Sequence, residues 1–395
     1  MIRLLLILPL LSPAPDLRSD AGTAPNSASR LLFWVNAKEV AALTDVQLDL
    51  WKERGVGGFI CMSRDLPGMG GVNKFTGDPK ADLTVKGFEL QRAFRDSRVV
   101  ERAKHGGMKM YLGCHLVNYY NKSTPLKDWF DDAGWAEVAL PRMQDLAAAA
   151  RLLGFDGIAF DEELYPQTGK VTTATWDWNY PGNTHSEAEV RAKARQRGRE
   201  LMRAVLDGFP AAEIVVYHYH FPGTWWTVVQ ERVNHRPNAA DPALFLDFWD
   251  GLSSVEGYQA IRFINAVFYK TSHVGRNWDA ALQYEFNTFY SLLSRRLSNW
   301  PYASSRIFQS PFIWISAGPR KSAYDAARPP AYVAAQLEAF AKWGMGGEFA
   351  NFCYGGLSRF DYTPYVAAMQ FVSRPFVADA QPPHVKVAGP PSLSG

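Results

Sequence analysis

Three acids end one short apolar stretch: Gly154-Phe155-Asp156-Gly157-Ile158-Ala159-Phe160-Asp161-Glu162-Glu163. Side chains alternate along a strand, so Gly157, Ala159, Asp161 and Glu163 share one side, and Ile158, Phe160 and Glu162 the other. One side is small and then acidic, as when small residues fill a barrel and carboxylates emerge at its mouth. Two neighbouring carboxylates oppose each other's ionisation, so one of them keeps its proton. A protonated Glu beside an ionised Asp can protonate a leaving oxygen and stabilise the positive charge that develops. Asp161 and Glu163 are therefore the candidate catalytic pair. The structural alternative is an acidic cluster that binds a cation or pairs with Arg64 or Lys270.

Strand-like and helix-like patterns alternate around this stretch. Strands are expected at 31–36, 59–63, 108–117, 157–163, 213–220, 261–269, 307–315 and 348–354. Helices are expected at 44–55, near 97–105, and at 135–153, 186–206, 242–252, 278–297, 331–343 and 363–371. Thr44 with Gln47, and Ser186 with Glu189, form capping-box pairs. Eight strand-then-helix units predict an α/β fold: a (β/α)8 TIM barrel in a single domain. No glycine fingerprint follows the first strand, as a doubly wound open sheet would require. The turns at Gly55, Gly154 and Gly344 resemble one another and give a common register, which puts Met62, Asp161 and Asn351 level, with Arg64 and Glu163 two further on.

Active sites of such barrels lie at the C-terminal ends of the strands, and only the fourth end offers two acids. His218 and His220 end the fifth strand, Tyr269 the sixth, and Trp314 the seventh. With Arg64, Asn351, Trp34 and Trp225 they are the candidate substrate-binding residues; ring faces stack on sugars. Trp176, Trp178 and Trp226 could serve likewise, and Glu348, at the start of its strand, reads as structural. As metal ligands, His218 and His220 would need His115 as a third donor. No cofactor is expected.

The stretch Asp156-Gly157-Ile158-Ala159-Phe160-Asp161-Glu162-Glu163 resembles the D-G-x-D-x-D-x-E signature of family 18, the chitinase-like glycoside hydrolases. That resemblance implies Glu163 as the general acid/base, with Asp161 orienting an acetamido group of the substrate that itself attacks the sugar carbon. It also implies that Tyr269 holds the acetamido oxygen. Ala159 stands where the signature has its middle Asp, and Lys270 where an Asp follows the family's Tyr, so a more distant TIM-barrel glycoside hydrolase family is the companion expectation. Retaining enzymes otherwise hold acid and nucleophile about 5–5.5 Å apart. No second strand end supplies an acid, so the choice lies between substrate assistance and an Asp161 nucleophile.

The chain has 395 residues, enough for one large core, and a formal net charge of +3, which gives no case for nucleic acid or a membrane surface as partner. Aromatic residues make up 14%, enough for both a core and a ring-lined cleft. The three cysteines Cys61, Cys114 and Cys353 show neither metal spacing nor an even count. Residues 1–26 read as a signal peptide and linker, 27–372 as the catalytic barrel, and 373–395 as a Pro-rich tail. A secreted or periplasmic glycosidase acting on a poly- or oligosaccharide is the expectation. The alternatives are a non-catalytic glycan-binding barrel and a metal-dependent hydrolase using His115, His218 and His220.

Overall fold

The structure is a computed structural model. It describes residues 30–62, 85–115, 129–162, 178, 182–218, 243–255, 261–265, 297–298, 308–313, 329–335, 348–352 and 356–372. Its strands are β1 Arg30–Asn36, β2 Val56–Met62, β3 Lys109–His115, β4 Gly157–Glu162, β5 Glu213–His218, β6 Ile261–Asn265, β7 Phe308–Ile313 and β8 Glu348–Phe352. Every neighbouring pair is parallel, and β8 returns to pair with β1, so the sheet closes into a ring in sequence order. Followed through its eight registers, a circuit of the ring returns to β1 displaced by eight residues. That stagger belongs to an eight-stranded barrel whose interior is just wide enough for side chains to fill.

The described helices are α1 Ala37–Ala41, α2 Asp45–Glu53, α3 Val85–Ser97, α4 Val99–His105, α5 Leu140–Leu152, α6 Glu187–Gly208, α7 Ala243–Ser253, α8 Gly356–Arg359 and α9 Val366–Val372, with a further turn at 330–335. Both capping boxes form: Gln47 N donates to Thr44 Oγ1 at 3.3 Å, and Ser186 N donates to Glu189 Oε2 at 2.8 Å. After α2 and α5 the chain reverses through Gly55 (φ +93) and Gly154 (φ +83), the left-handed region in which a side chain is strained.

Burial divides each strand into two faces. Phe33, Val35, Phe59, Cys61, Met110, Leu112, Ile158, Phe160, Ile214 and Val216 join the buried helices in one apolar cluster. Leu32, Trp34, Ile60, Met62, Tyr111, Ala159 and Val215 are equally buried yet lie outside that cluster. They are the alternate positions, and they fill the barrel. The division expected for β4 therefore holds as far as Ala159 and Phe160. Each fully buried Leu, Ile or Phe contributes about 1.5–3 kcal/mol, so the outer cluster carries the larger part of the hydrophobic stabilisation.

At the N-terminal end of the barrel the filling is polar. Lys109 Nζ meets Glu213 Oε1 at 2.7 Å, and the Tyr111 hydroxyl donates to Glu213 Oε2 at 2.6 Å. Asp156 Oδ2 accepts from Met110 N at 2.8 Å, and its Oδ1 faces Lys104 and Lys109. Glu348 opens β8 in register with Arg30, at the same end. These acids belong to the floor of the barrel, as expected for Glu348.

Two elements differ from the sequence reading. The helix expected near 97–105 begins at Val85 and is broken in two at Arg98, which takes φ +52 and bonds Glu101. The helix expected from 135 opens instead with turns at Asp132–Gly134 and Trp135–Ala139, the latter a π-turn. Residues 278–296 of the helix expected at 278–297, the signal segment and linker at 1–26, and the tail at 373–395 lie outside the described residues. Among the described residues no helix is long and apolar enough to cross a membrane.

Candidate active site

The mouth is built from strand ends. β3 stops at His115, β4 at Asp161-Glu162, β5 at Tyr217-His218 and β6 at Asn265. Backbone register fixes which of these positions are neighbours. Asp161 pairs with His115 on one side and Tyr217 on the other. Tyr217 pairs with Ile264, and Ile264 with Ser310. Two residues below, the same row parity carries Gly113, Ala159 and Val215, the barrel-filling set. Position 161 thus continues the inward series of β4, and the row beneath it, followed on to β6, carries Arg262.

His218 and Asn351 are placed by backbone register alone. His218 pairs with Glu162 and Asn265, one position off the row of Asp161. Asn351 pairs with Phe33, whose ring belongs to the helix-facing cluster, while Phe352 pairs with Trp34. The facing implied by the repeated turns is shared by Met62 and position 161 and not by position 351, whose partner on β1 is Phe33. The turn marks where a helix stops and leaves the facing of the next strand free.

Trp34 lies inside the barrel, 4% exposed, one inward position below Asn36. Asn36 closes β1 and caps α1, its Oδ1 accepting from Lys38 N at 2.9 Å. Trp178 is half-buried against the apolar core, and its carbonyl accepts from Asn183 Nδ2 at 2.7 Å, which ties the chain down ahead of α6. Glu163, Arg64, His220, Trp225, Tyr269, Trp314, Trp176, Trp226 and Lys270 lie outside the described residues. Of the three histidines considered as metal ligands, His115 and His218 sit in different rows. Among the described residues no group of three or more His, Cys, Asp or Glu side chains could hold a metal ion.

Tyr217 is the neighbour of Asp161 that sequence reasoning missed. Ile214-Val215-Val216 is apolar throughout, as in strands buried on both faces, so no alternation showed which side Tyr217 takes.

The strands that carry the mouth are braced from outside. α6 follows β4 and α7 follows β5, and the two helices pack on each other. Arg191 Nη1 meets Asp247 Oδ2 at 2.8 Å, and Arg195 reaches Asp247 at 2.7 Å and Asp250 at 2.6 Å. Asp250 is wholly buried; it also accepts from Ser298 N at 2.6 Å and Ser298 Oγ at 2.8 Å. Arg197, 3% exposed, donates to the Trp129 carbonyl at 2.9 Å and lies over the Trp135 ring, which ties α6 to the segment after β3. Their charged groups are matched within the helical layer.

No family model and no curated protein matches the chain. Solved structures do resemble it in shape. A GH5_18 enzyme from Streptomyces cattleya in complex with GlcNAc aligns at TM-score 0.49 and 12% identity, over 90% of this chain and 83% of its own. A glycoside hydrolase family 5 enzyme from Prevotella bryantii B14 aligns at 0.47 and 12%, over 90% and 98%. A GH18 chitinase from Pseudoalteromonas aurantia aligns at 0.42 and 9%, over 87% and 100%. These neighbours are glycoside hydrolases, from several families, and family 18 is not singled out. Likenesses of this size say nothing of the reaction this chain performs.

Proposed function

We propose that the chain is a (β/α)8 glycoside hydrolase, exported and acting on a poly- or oligosaccharide, with residues 27–372 as its catalytic domain. Glu163 protonates the glycosidic oxygen as the sugar–oxygen bond breaks. Asp161 stays ionised and stabilises the cationic carbon, either by attacking it or by orienting a substrate group that does. Arg64, His220, Trp225, Tyr269 and Trp314 line the cleft, above Trp34. His218 and Asn351, at the ends of β5 and β8, belong to the same proposed lining. The observation that carries this reading is the register of Asp161 between His115 and Tyr217, at the C-terminal end of β4 in a closed parallel barrel. The acids in the floor of the barrel are already paired, with Lys109, Tyr111 and Lys104.

The test is a screen of polysaccharides for release of reducing ends, with Glu163→Gln beside the parent. Loss of a general acid costs about 10²–10⁴-fold in rate, while glycan binding persists. A parent that binds a glycan and releases nothing would be a binding barrel. Near-parental turnover in Glu163→Gln would remove Glu163 from the chemistry.

A further inference from the structure

The floor of the barrel carries a polar bridge that the proposed chemistry does not use. Tyr111 on β3, Gly157 on β4 and Glu213 on β5 stand in one row of the inward series. The wholly buried Tyr111 reaches across β4 at its glycine, and its hydroxyl donates to Glu213 Oε2 at 2.6 Å. Lys109 Nζ meets Glu213 Oε1 at 2.7 Å and Asp156 Oδ1 at 3.5 Å. Backbone bonds follow the same line. Asp156 N donates to the Met110 carbonyl at 2.8 Å, and Glu213 N to the Asp156 carbonyl at 3.0 Å. A Cβ on Gly157 would stand 1.8 Å from the Glu213 carbonyl oxygen, so only glycine lets β5 lie this close.

Little else among the described side chains of β5 tells one register from the next. Ile214, Val215 and Val216 are wholly buried branched aliphatics, and a slip of one residue would merely exchange their faces. The same slip turns Glu213 to the helix-facing side, away from both Tyr111 and Lys109. Bonds to a charged group are the strong ones, so this loss outweighs the exchange of one aliphatic for another. Arg262, level with Val215, is the charged inward position on β6; Glu213 is the one to which β3 is bonded.

We propose that Glu213 is a positioning residue: held by Tyr111 and Lys109 across Gly157, it fixes β5 against β3 and β4 and so fixes which β5 residue stands beside Asp161. Position 217 lies four residues further on, about 13 Å along the strand. Glu213 therefore touches no substrate and acts through the strand itself. For its consequence at the mouth the inference rests on the hydrolase reading above; the register is tested without a substrate.

The test exchanges the first two residues of β5 in the double variant Glu213→Ile with Ile214→Glu, which moves the carboxylate one place and keeps the composition. β5 is expected to follow its carboxylate, bringing position 214 level with Gly157 and His218 level with Asp161. Cross-strand amide NOEs between β4 and β5 read the register in the folded protein, whatever its stability. A folded double variant that keeps Val216 beside Phe160 overturns the inference. Glu213→Leu, which removes both bonds, covers the case in which the exchanged protein does not fold. Its β4–β5 contacts are expected in two sets displaced by one residue, and a single parental set overturns the inference equally. On a glycan that the parent hydrolyses, kcat per folded molecule of the double variant is expected to fall about a hundredfold, the scale of a reacting group misplaced by about 1 Å. A stabilising ion pair with no part in positioning would lower Tm and leave that kcat unchanged; a parental kcat in a shifted register overturns the link to the mouth. If the parent cleaves no glycan at all, the hydrolase reading fails separately, and the NOEs still decide the register.

Discussion

Replacing Gly198 or Gly251 with alanine tests the brace behind β4 and β5. A Cβ at 198 would stand 2.0 Å from the Phe248 carbonyl oxygen and 2.9 Å from Leu252 N. A Cβ at 251 would stand 2.0 Å from the Arg195 carbonyl oxygen and 3.0 Å from Arg199 N. Each glycine thus lies against the backbone of the opposite helix, where no rotamer change can make room. α6 and α7 would have to part by about 1 Å or more to restore ordinary contact, since carbon–oxygen approaches run about 3.3–3.6 Å. Overpacking of this kind costs about 1–3 kcal/mol. Parting the helices also stretches the Arg195 bonds to Asp247 and Asp250, worth about 1 kcal/mol or more if weakened. Alanine's better helix propensity returns about 1 kcal/mol. The net expectation for either variant is a loss of about 1–3 kcal/mol. One separation relieves both clashes, so Gly198→Ala with Gly251→Ala should cost clearly less than the sum of the two. Denaturant unfolding followed by circular dichroism measures all three. Single variants within about 0.5 kcal/mol of the parent, or strict additivity in the double, would refute the close crossing.

Other outcomes follow from the same coordinates. Asp132, with Lys193 Nζ at 2.6 Å and Arg197 beside it, is held below the ordinary carboxylate range first by the Lys193 hydrogen bond and then by that of Arg197. Its contribution to stability is present above the unfolded value of about 3.9 and is lost as pH falls through its own lower midpoint. NMR titration should show that midpoint move up towards the ordinary value in Lys193→Ala; no movement would discard the pairing. Cys61 and Cys114 are buried, and burial pushes the Cys61 thiol up, away from the reactive thiolate. Neither should react with a thiol reagent until the protein unfolds, and rapid labelling of either in the native state would contradict its burial. For the acid pair, Glu163→Gln is expected to keep glycan binding and lose turnover, read by reducing-end release beside a binding isotherm.

What the sequence discloses depends on whether neighbouring residues differ enough to mark a face. In β4 they do: Gly157 and Ala159 against Ile158 and Phe160 is a contrast of size, and burial divides the strand along that line. Local chemistry is equally plain at the caps, where Thr44 with Gln47 and Ser186 with Glu189 need only residues three apart. In β5 the run Ile214-Val215-Val216 has no contrast, so the inward place of Tyr217 appears only once β4 is laid beside it. The start of α3 was legible in principle, since Leu90 and Phe94 are buried one helical turn apart. Its break was not, because arginine has no preference for the left-handed conformation that Arg98 adopts.

The same distinction explains why the acids could be found and their neighbours could not. A carboxylate at the end of an apolar strand is conspicuous by itself, because burying a charge is costly. Its flanking residues come from strands about fifty residues away on either side, and they are fixed by the stagger of the closed ring. Shifting β5 by one residue would bring His218 beside Asp161 in place of Tyr217, and would also turn Glu213 away from Lys109 and Tyr111. The register, a property of the whole ring, therefore decides whether that flank of Asp161 is a phenol or an imidazole. That makes the pairing of β4 with β5, and the α6–α7 crossing behind it, part of the chemistry proposed for Asp161 and Glu163.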